Sequence, residues 1–251
     1  MIGDVIGKPG RRALATLLPD LRHELHLDVV VANGENAAGG FGLTLETAQE
    51  MLRAGVDVIT SGNHVWDQKE IIPYLDEGIP VLRPHNYPPG TPGRGYLVVG
   101  KVAVVNLQGR VFMAPIDCPF RTADRVVEEV RQQGAKAIVV DFHAEATSEK
   151  QGLGWYLDGR VSAVVGTHTH VPTADPRVLP NGTGYITDVG LVGPVNSVIG
   201  NDIQAALERM LTLTPRRLTV PGGPVAFNAV LIEVDDDGRA TRVQRVDRTV
   251  P

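Results

Sequence analysis

The sequence contains a single cysteine, Cys118, which excludes an internal disulfide and suits a reducing compartment. It also has no surplus of positive charge. Lys and Arg number 24 against 29 Asp and Glu, leaving a formal net charge of −5. The broad basic face expected of a binder of long duplex nucleic acid is therefore not predicted, although a local basic pocket remains compatible with that total. No apolar run approaches the ~18 residues of a membrane span, and no charged-then-apolar leader with a cleavage site is recognisable. The expectation is a soluble cytoplasmic protein with no membrane partner. There is no internal repeat, low-complexity segment or convincing linker, so residues 1–251 are expected to form one domain. The opening Met1-Ile2-Gly3-Asp4 offers barely two residues of strand ahead of Asp4. If Asp4 carries chemistry, the natural chain is expected to begin a few residues earlier.

What the sequence does have is a repeating strand, polar loop and helix. Arg11–His26 places Leu14, Leu17, Leu18, Leu21 and Leu25 on one helical stripe, with Pro19 expected to kink or restart it. Strands are predicted at Asp28–Ala32, Val56–Thr60, Pro80–Leu82, Ala137–Val140, Val161–Val165 and Tyr185–Thr187. Gly95–Val99 and Val102–Leu107 flank Gly100-Lys101 as a hairpin. Helices are predicted at Thr44–Ala54, Lys69–Glu77, Thr122–Gln133 and Asp202–Leu213, and from Ser148, where Gln151 suggests a capping box. Gly190–Gly200 reads as a glycine-rich loop that could cradle phosphate through free backbone N–H groups or simply serve tight packing. Val225–Val234 and Arg239–Val250, on either side of Asp235-Asp236-Asp237-Gly238, read as an antiparallel hairpin. The alternation, with antiparallel strands in the middle and at the end, predicts an α/β fold with mixed sheets.

The polar residues collect where strands end. Asp4 lies in Gly-Asp-Val-Ile-Gly, Glu35 and Asn36 in Asn-Gly-Glu-Asn, Asn63 and His64 in Gly-Asn-His, His143 in Asp-Phe-His, and His168 and His170 in Gly-Thr-His-Thr-His. In an α/β sheet the loops after the strands share one rim, where ligands bind. The two histidines at i and i+2 can face one point if the backbone stays extended. Imidazoles, carboxylates and amides together form a nitrogen and oxygen donor set, suited to paired Mn, Fe, Zn or Mg ions. His23 and His26 read as solvated helix residues, His85 as a loop residue with a lesser chance of lining a pocket with Arg83, and Phe41 and Trp66 as core.

In order and type these motifs resemble the calcineurin-like metallophosphoesterases. Asn33–Gly42, Gly62–Asp67 and Asp188–Gly200 are most similar to the bacterial YmdB-like branch, and the likeness runs over essentially the whole chain. The resemblance implies two mixed β-sheets packed as a sandwich and flanked by helices. It implies a dinuclear centre of divalent or trivalent ions, iron in the first place and Mn, Mg or Zn otherwise, and hydrolysis of 2′,3′-cyclic nucleotides. Carried over by motif, Asp4, Glu35, Asn36 and His170 would serve one ion and Glu35, Asn63, His143 and His168 the other, with Glu35 bridging. His64 falls on the proton-donor position.

The sequence departs from the wider superfamily in two places and from the branch in a third. Val5-Ile6 follows Asp4 where Asp-x-His is usual, which removes one histidine and leaves Asn36 as the substitute. The bridging residue is Glu35 rather than Asp. Asn196 stands where the branch has an acid. Two divalent ions against two carboxylates leave a positive site, which favours an anionic phosphate ester and an attacking hydroxide shared by the ions. An imidazole, titrating near about 6.5, suits protonation of the leaving alkoxide. The expected partner is a small phosphodiester, with a homo-oligomer left open. Two other readings stay in play: an amidohydrolase on a β/α barrel, disfavoured by the late His-x-His, and a regulatory or RNA-associated protein keeping the metal site as scaffold.

Overall fold

A computed structural model describes residues 1–251. One six-stranded sheet contains, in spatial order, β14 (Arg248–Val250), β11 (Val225–Phe227), β10 (Leu191–Pro194), β1 (Ile2–Val5), β2 (Val31–Asn33) and β3 (Val58–Thr60). The other contains β4 (Tyr96–Val99), β5 (Val102–Gln108), β6 (Ala137–His143), β7 (Ala163–Thr167), β9 (Gly184–Ile186) and β8 (Arg177–Val178). A separate hairpin pairs β12 (Val230–Val234) with β13 (Ala240–Arg245). The helices are α1 (Gly7–Glu24), α2 (Leu45–Arg53), α3 (Ile72–Leu75), α4 (Pro119–Gln132), α5 (Thr147–Tyr156) and α6 (Ile203–Thr212).

Residue alternation explains the layers. Along β6, Ile138, Val140 and Phe142 join a core with Ala123, Val126, Val127 and Val130 of α4. The intervening Asp141 and His143 must then face the other sheet. On β5 the same rule sends Val105 and Leu107 to the helices and Val104 inward against Val31 and Val58 of the first sheet. On the far side α1 and α2 lay Leu14, Leu18 and Met51 over Ala32 and Ile59. Helices thus flank two facing sheets, the sandwich expected from the family resemblance. No β/α barrel forms, which removes the amidohydrolase reading.

Strands β10, β1, β2 and β3 run parallel, as do β5, β6, β7 and β9. The carboxyl ends of both sets open on one rim. Asp4 sits within β1, paired to Leu191 on one side and Asn33 on the other. Rigid support for Asp4 comes from its strand neighbours on both sides.

Several local expectations are corrected. The predicted loop Gly190–Gly200 contains β10, a central strand whose four residues are all buried; it is too short for periodicity to reveal. Helix α1 runs through Pro19 unbroken because Pro19 and Ala15 are exposed, so the carbonyl that loses its partner faces water. Helix α5 starts at Thr147 without a side-chain cap, so Ser148 forms no capping box. Pro80–Leu82 makes only isolated bridges, and Lys69–Glu77 divides into a 3₁₀ turn (Lys69–Ile71) and α3. The carboxyl-terminal hairpin is confined to β12 and β13, while β11 and β14 join the first sheet.

Leu14 is completely buried between α1 and the first sheet. Leu14→Ala is expected to cost about 2–5 kcal/mol in denaturant unfolding. Leu213→Ser, at a residue 88% exposed, should change stability by less than about 0.5 kcal/mol.

Candidate metal centre

All the predicted site residues meet on the shared rim. Glu35 Oε1 lies 3.0 Å from His143 Nε2, and the same nitrogen lies 3.1 Å from Asn63 Oδ1 and 3.0 Å from His168 Nδ1. The donor atoms of Glu35, His143 and His168 all fall within 4.8 Å of one another. On the other side Asn36 Nδ2 is 3.4 Å from Glu35 Oε1 and 3.2 Å from His170 Nε2. His170 Nε2 is 3.7 Å from Asp4 Oδ1. Glu35 therefore stands between two groups of donors, Asp4, Asn36 and His170 on one flank and Asn63, His143 and His168 on the other.

Backbone geometry departs from expectation at the histidine pair. His168 and His170 adopt φ of 100° and 65°, a region that side-chain-bearing residues rarely visit. The backbone is not extended there, and the reversal sends the two rings to different flanks. Asp188 fixes this turn by accepting hydrogen bonds from Thr169 N at 3.1 Å, Thr169 Oγ1 at 2.8 Å and Lys150 Nζ at 2.6 Å. Lys150 and Asp188 are both buried. On the opposite wall Gly62 must lack a side chain, since a Cβ there would stand 2.0 Å from the His143 ring.

Beneath the rim lies a polar layer. Asp141, fully buried, accepts from Thr60 Oγ1, from Thr167 Oγ1 at 2.7 Å and from Asn33 Nδ2 at 3.4 Å. Because Thr167 spends its proton on Asp141, its oxygen accepts from His143 Nδ1 at 3.0 Å. That assigns the Nδ1–H of His143 downward and leaves Nε2 aimed at the donor cluster, the arrangement a ligating histidine requires.

The electrostatics also fit a bound cation. Asp4 and Glu35 are both fully buried carboxylates. Burial disfavours charge on Glu35 and His143 alike, yet their mutual attraction and hydrogen bond prevail. His143 titrates above an ordinary imidazole, and Glu35 below an ordinary carboxylate. Asp4 is pushed up to about 6 by burial, against the pull of His170 and His143. Burial and the neighbouring His143 push His168 down to about 3. Asp4 Oδ1 is buried without a hydrogen-bond partner. An unpaired buried carboxylate oxygen is costly unless something positive covers it. Oxygen and imidazole donors without thiolate suit Fe, Mn, Zn or Mg, so the residues present fit a metal pair.

His64 stands apart from the donors. Its backbone N–H donates to Glu35 Oε2 at 3.0 Å, while its ring Nδ1 pairs with Asp67 at 2.8 Å. Phe41 meets His64 edge-on at 5.1 Å between ring centroids, so Phe41 belongs to the site and not to the core. Trp66 does pack on the core, as expected. Of the two readings of Gly190–Gly200, a phosphate cradle or tight packing, the hydrogen bonds favour packing. Ser197, Val198, Gly200 and Asn201 all commit their N–H groups within the loop, and Asp202 caps α6 with its own carboxylate. Asn196 is exposed.

Sequence reasoning missed Asp141, Thr60, Thr167, Lys150, Asp188 and Asp67. The strand alternation that places His143 also places Asp141 two residues earlier, a signal that the sequence itself carries. Lys150 and Asp188 are 38 residues apart, and only the fold pairs them.

The two facing sheets flanked by helices have the metallophosphoesterase fold. The chain belongs to the YmdB-like family, whose model, described as YmdB-like protein, matches residues 1–246. It is 48% identical over 250 residues to a 2′,3′-cyclic-nucleotide 2′-phosphodiesterase of Bacillus subtilis (strain 168), covering 98% of this chain and 94% of that one. The crystal structure of a protein described as a novel phosphatase, from Mycoplasma pneumoniae, superposes with a TM-score of 0.91 at 32% identity, over 99% of this chain and 92% of that one. A 5′-nucleotidase precursor from Thermus thermophilus shares the fold alone, with a TM-score of 0.57 at 16% identity, over 94% of this chain and 47% of that one.

Asp188→Ala leaves the ammonium of Lys150 buried and unpaired. That substitution is expected to lower unfolding free energy by about 3–5 kcal/mol. Adding Lys150→Met should recover most of the loss in a double-mutant cycle; a strictly additive result would show that the two do not act as a pair.

Proposed function

We propose that the chain, as a single metallophosphoesterase domain, hydrolyses small phosphodiesters, 2′,3′-cyclic nucleotides first among them, at a dinuclear centre. Asp4, Glu35, Asn36 and His170 would hold one ion and Glu35, Asn63, His143 and His168 the other. One observation carries this reading: Glu35 stands between two flanks of donors while Asp4 Oδ1 beside it is buried and unpartnered. Iron is the first candidate, and the donor set also suits Mn, Zn or Mg. Bound there, two ions would supply a water of lowered pKa and a positive field for the phosphate oxygens.

The chain's own residues supply the rest. Glu35 ties the donor loops together, since its Oε2 accepts from the His64 backbone while its Oε1 faces His143. Asp67 accepts from His64 Nδ1, which fixes the orientation of the ring. His64 Nε2 makes no other hydrogen bond and is left to protonate the departing ribose oxygen as the P–O bond breaks. The imidazole then recovers a proton from solvent. Opening a cyclic diester asks for this one proton and an in-line approach. Long duplex nucleic acid lies outside this reading.

Elemental analysis of fully loaded protein should give two ions per chain; one ion would remove the dinuclear centre. His64→Ala is expected to keep both ions and slow cyclic-nucleotide turnover by about 10²–10⁴-fold. Nitrophenyl phosphodiesters, whose leaving group needs little protonation, should lose much less. Loss of metal, or equal slowing of both substrates, would make His64 a ligand or a positioning group instead.

A further inference from the structure

Beside Phe41, and outside the donor network, lies a concavity of about 610 Å³ lined by Lys8, Phe41, Gln68, Arg209, Arg216 and Arg217 among others. Its lining contains four cations and no acid, in a chain with more acids than bases. Arg216 is already paired with Glu208. Lys8, Arg209 and Arg217 make no ion pair with any carboxylate. Lys8 belongs to the first turn of α1, which has no side-chain cap and no acid, so its helix dipole adds to the positive field. Three uncompensated cations converging from two separate parts of the chain repel one another, and an anion between them relieves that repulsion.

The concavity is built onto the metal-site loops. Val220, on its wall, packs so closely on Gly7 and Gly40 that a Cβ would stand 3.1 and 2.9 Å from its methyl. Gly7 N and Gly40 N both donate to Asn36 O, at 2.9 and 3.2 Å. Gln68 Nε2 donates to Phe41 O at 3.0 Å. Phe41, which lines the concavity, touches His64 on the site side. Phe41 therefore borders both His64 and the basic concavity. A molecule whose cyclic phosphate lies at His64 can place a further phosphate among Lys8, Arg209 and Arg217.

Resting on the phosphodiesterase reading above, we propose that the basic concavity receives a second phosphate of the substrate. The favoured substrates are then cyclic phosphodiesters with another phosphate nearby, and a lone cyclic nucleoside phosphate is the poorer one. Two sources supply that group: a 5′-phosphate on the same nucleoside, or the internucleotide phosphate of a short oligonucleotide ending in the cyclic phosphate.

The test compares kcat/KM of the metal-loaded protein on three substrates: a nucleoside 2′,3′-cyclic phosphate, the same compound 5′-phosphorylated, and a dinucleotide ending in a 2′,3′-cyclic phosphate. At least one of the last two is expected to exceed the first by about tenfold or more, mainly through KM, the scale of one or two charge-assisted contacts. Whichever gains identifies the source. The advantage should shrink in about 0.5 M salt, where charges beyond a few ångströms are screened. Arg209→Ala/Arg217→Ala and, separately, Lys8→Ala should each reduce the ratio between substrates, a quantity that partial unfolding leaves untouched. Equal rates on all three substrates, or a ratio unchanged in both variants, would overturn this inference while leaving the phosphodiesterase reading intact. No turnover of any of the three would overturn both.

Discussion

Asp141 is a carboxylate that both sheets hold. It sits in the second sheet, yet it accepts hydrogen bonds from Thr60 and Asn33, at the ends of β3 and β2 in the first. It also accepts from Thr167 beside it, and through Thr167 it orients His143. The two sheets also meet through apolar side chains such as Val31, Val58 and Val104, which fix a separation but not a register. Directional bonds to a buried acid do fix a register, because an unmet partner there costs the full desolvation penalty. Burial pushes Asp141 toward its neutral form, and the hydrogen bonds from Thr60, Thr167 and Asn33 pull against that. The donors of the rim can face one another only if the sheets beneath them are registered.

The rim itself is a set of local compromises. Asp4 and Glu35 are buried without enough positive charge around them, and His143 answers by binding its proton more tightly. His168 and His170 hold backbone angles that L-residues resist, and the buried Lys150–Asp188 pair clamps the turn between them. The buried carboxylates and the left-handed backbone oppose stability when considered alone. Together they describe a site shaped around cations, since an ion relieves the carboxylates and competes with the proton on His143.

The candidate site was far more legible in the sequence than the details of the fold. All the proposed ligands could be named because each polar residue interrupts or ends an apolar strand, and the structure gathers them on one rim. Other features depended on facts no local window carries. Strand β10 is four residues long and owes its existence to pairing with β1 and β11, so a glycine-rich loop was the natural reading. The turn at His168–His170 is set by Asp188 and Lys150, which are distant from each other in sequence. Pro19 was tolerated because of where α1 lies, with its proline side in water. Phe41 sits in a glycine-rich stretch that gives no periodicity, and only its contact with His64 reveals its place.

Chemistry and substrate selection occupy structurally different material. Of the proposed ligands, Asp4 and His143 lie within strands and the others in the loops that follow strands, and His143, Glu35 and Asp4 are entirely buried. Apart from Lys8 of α1, the basic wall comes from α6 and the segment after it, where Ala206 alone of the helix is buried and Met210, Leu211 and Leu213 are 64%, 83% and 88% exposed. Elements with few buried contacts open locally at low free energy, whereas buried strands open only with the whole domain. Val220 on Gly7 and Gly40 is the tight joint between the two regions. A segment hinged at such a joint can change its side chains, or shift to admit a longer substrate, at little cost to the register that Asp141 imposes. Variation in substrate length among proteins of this architecture should therefore track residues 203–220 and leave the strand ends alone.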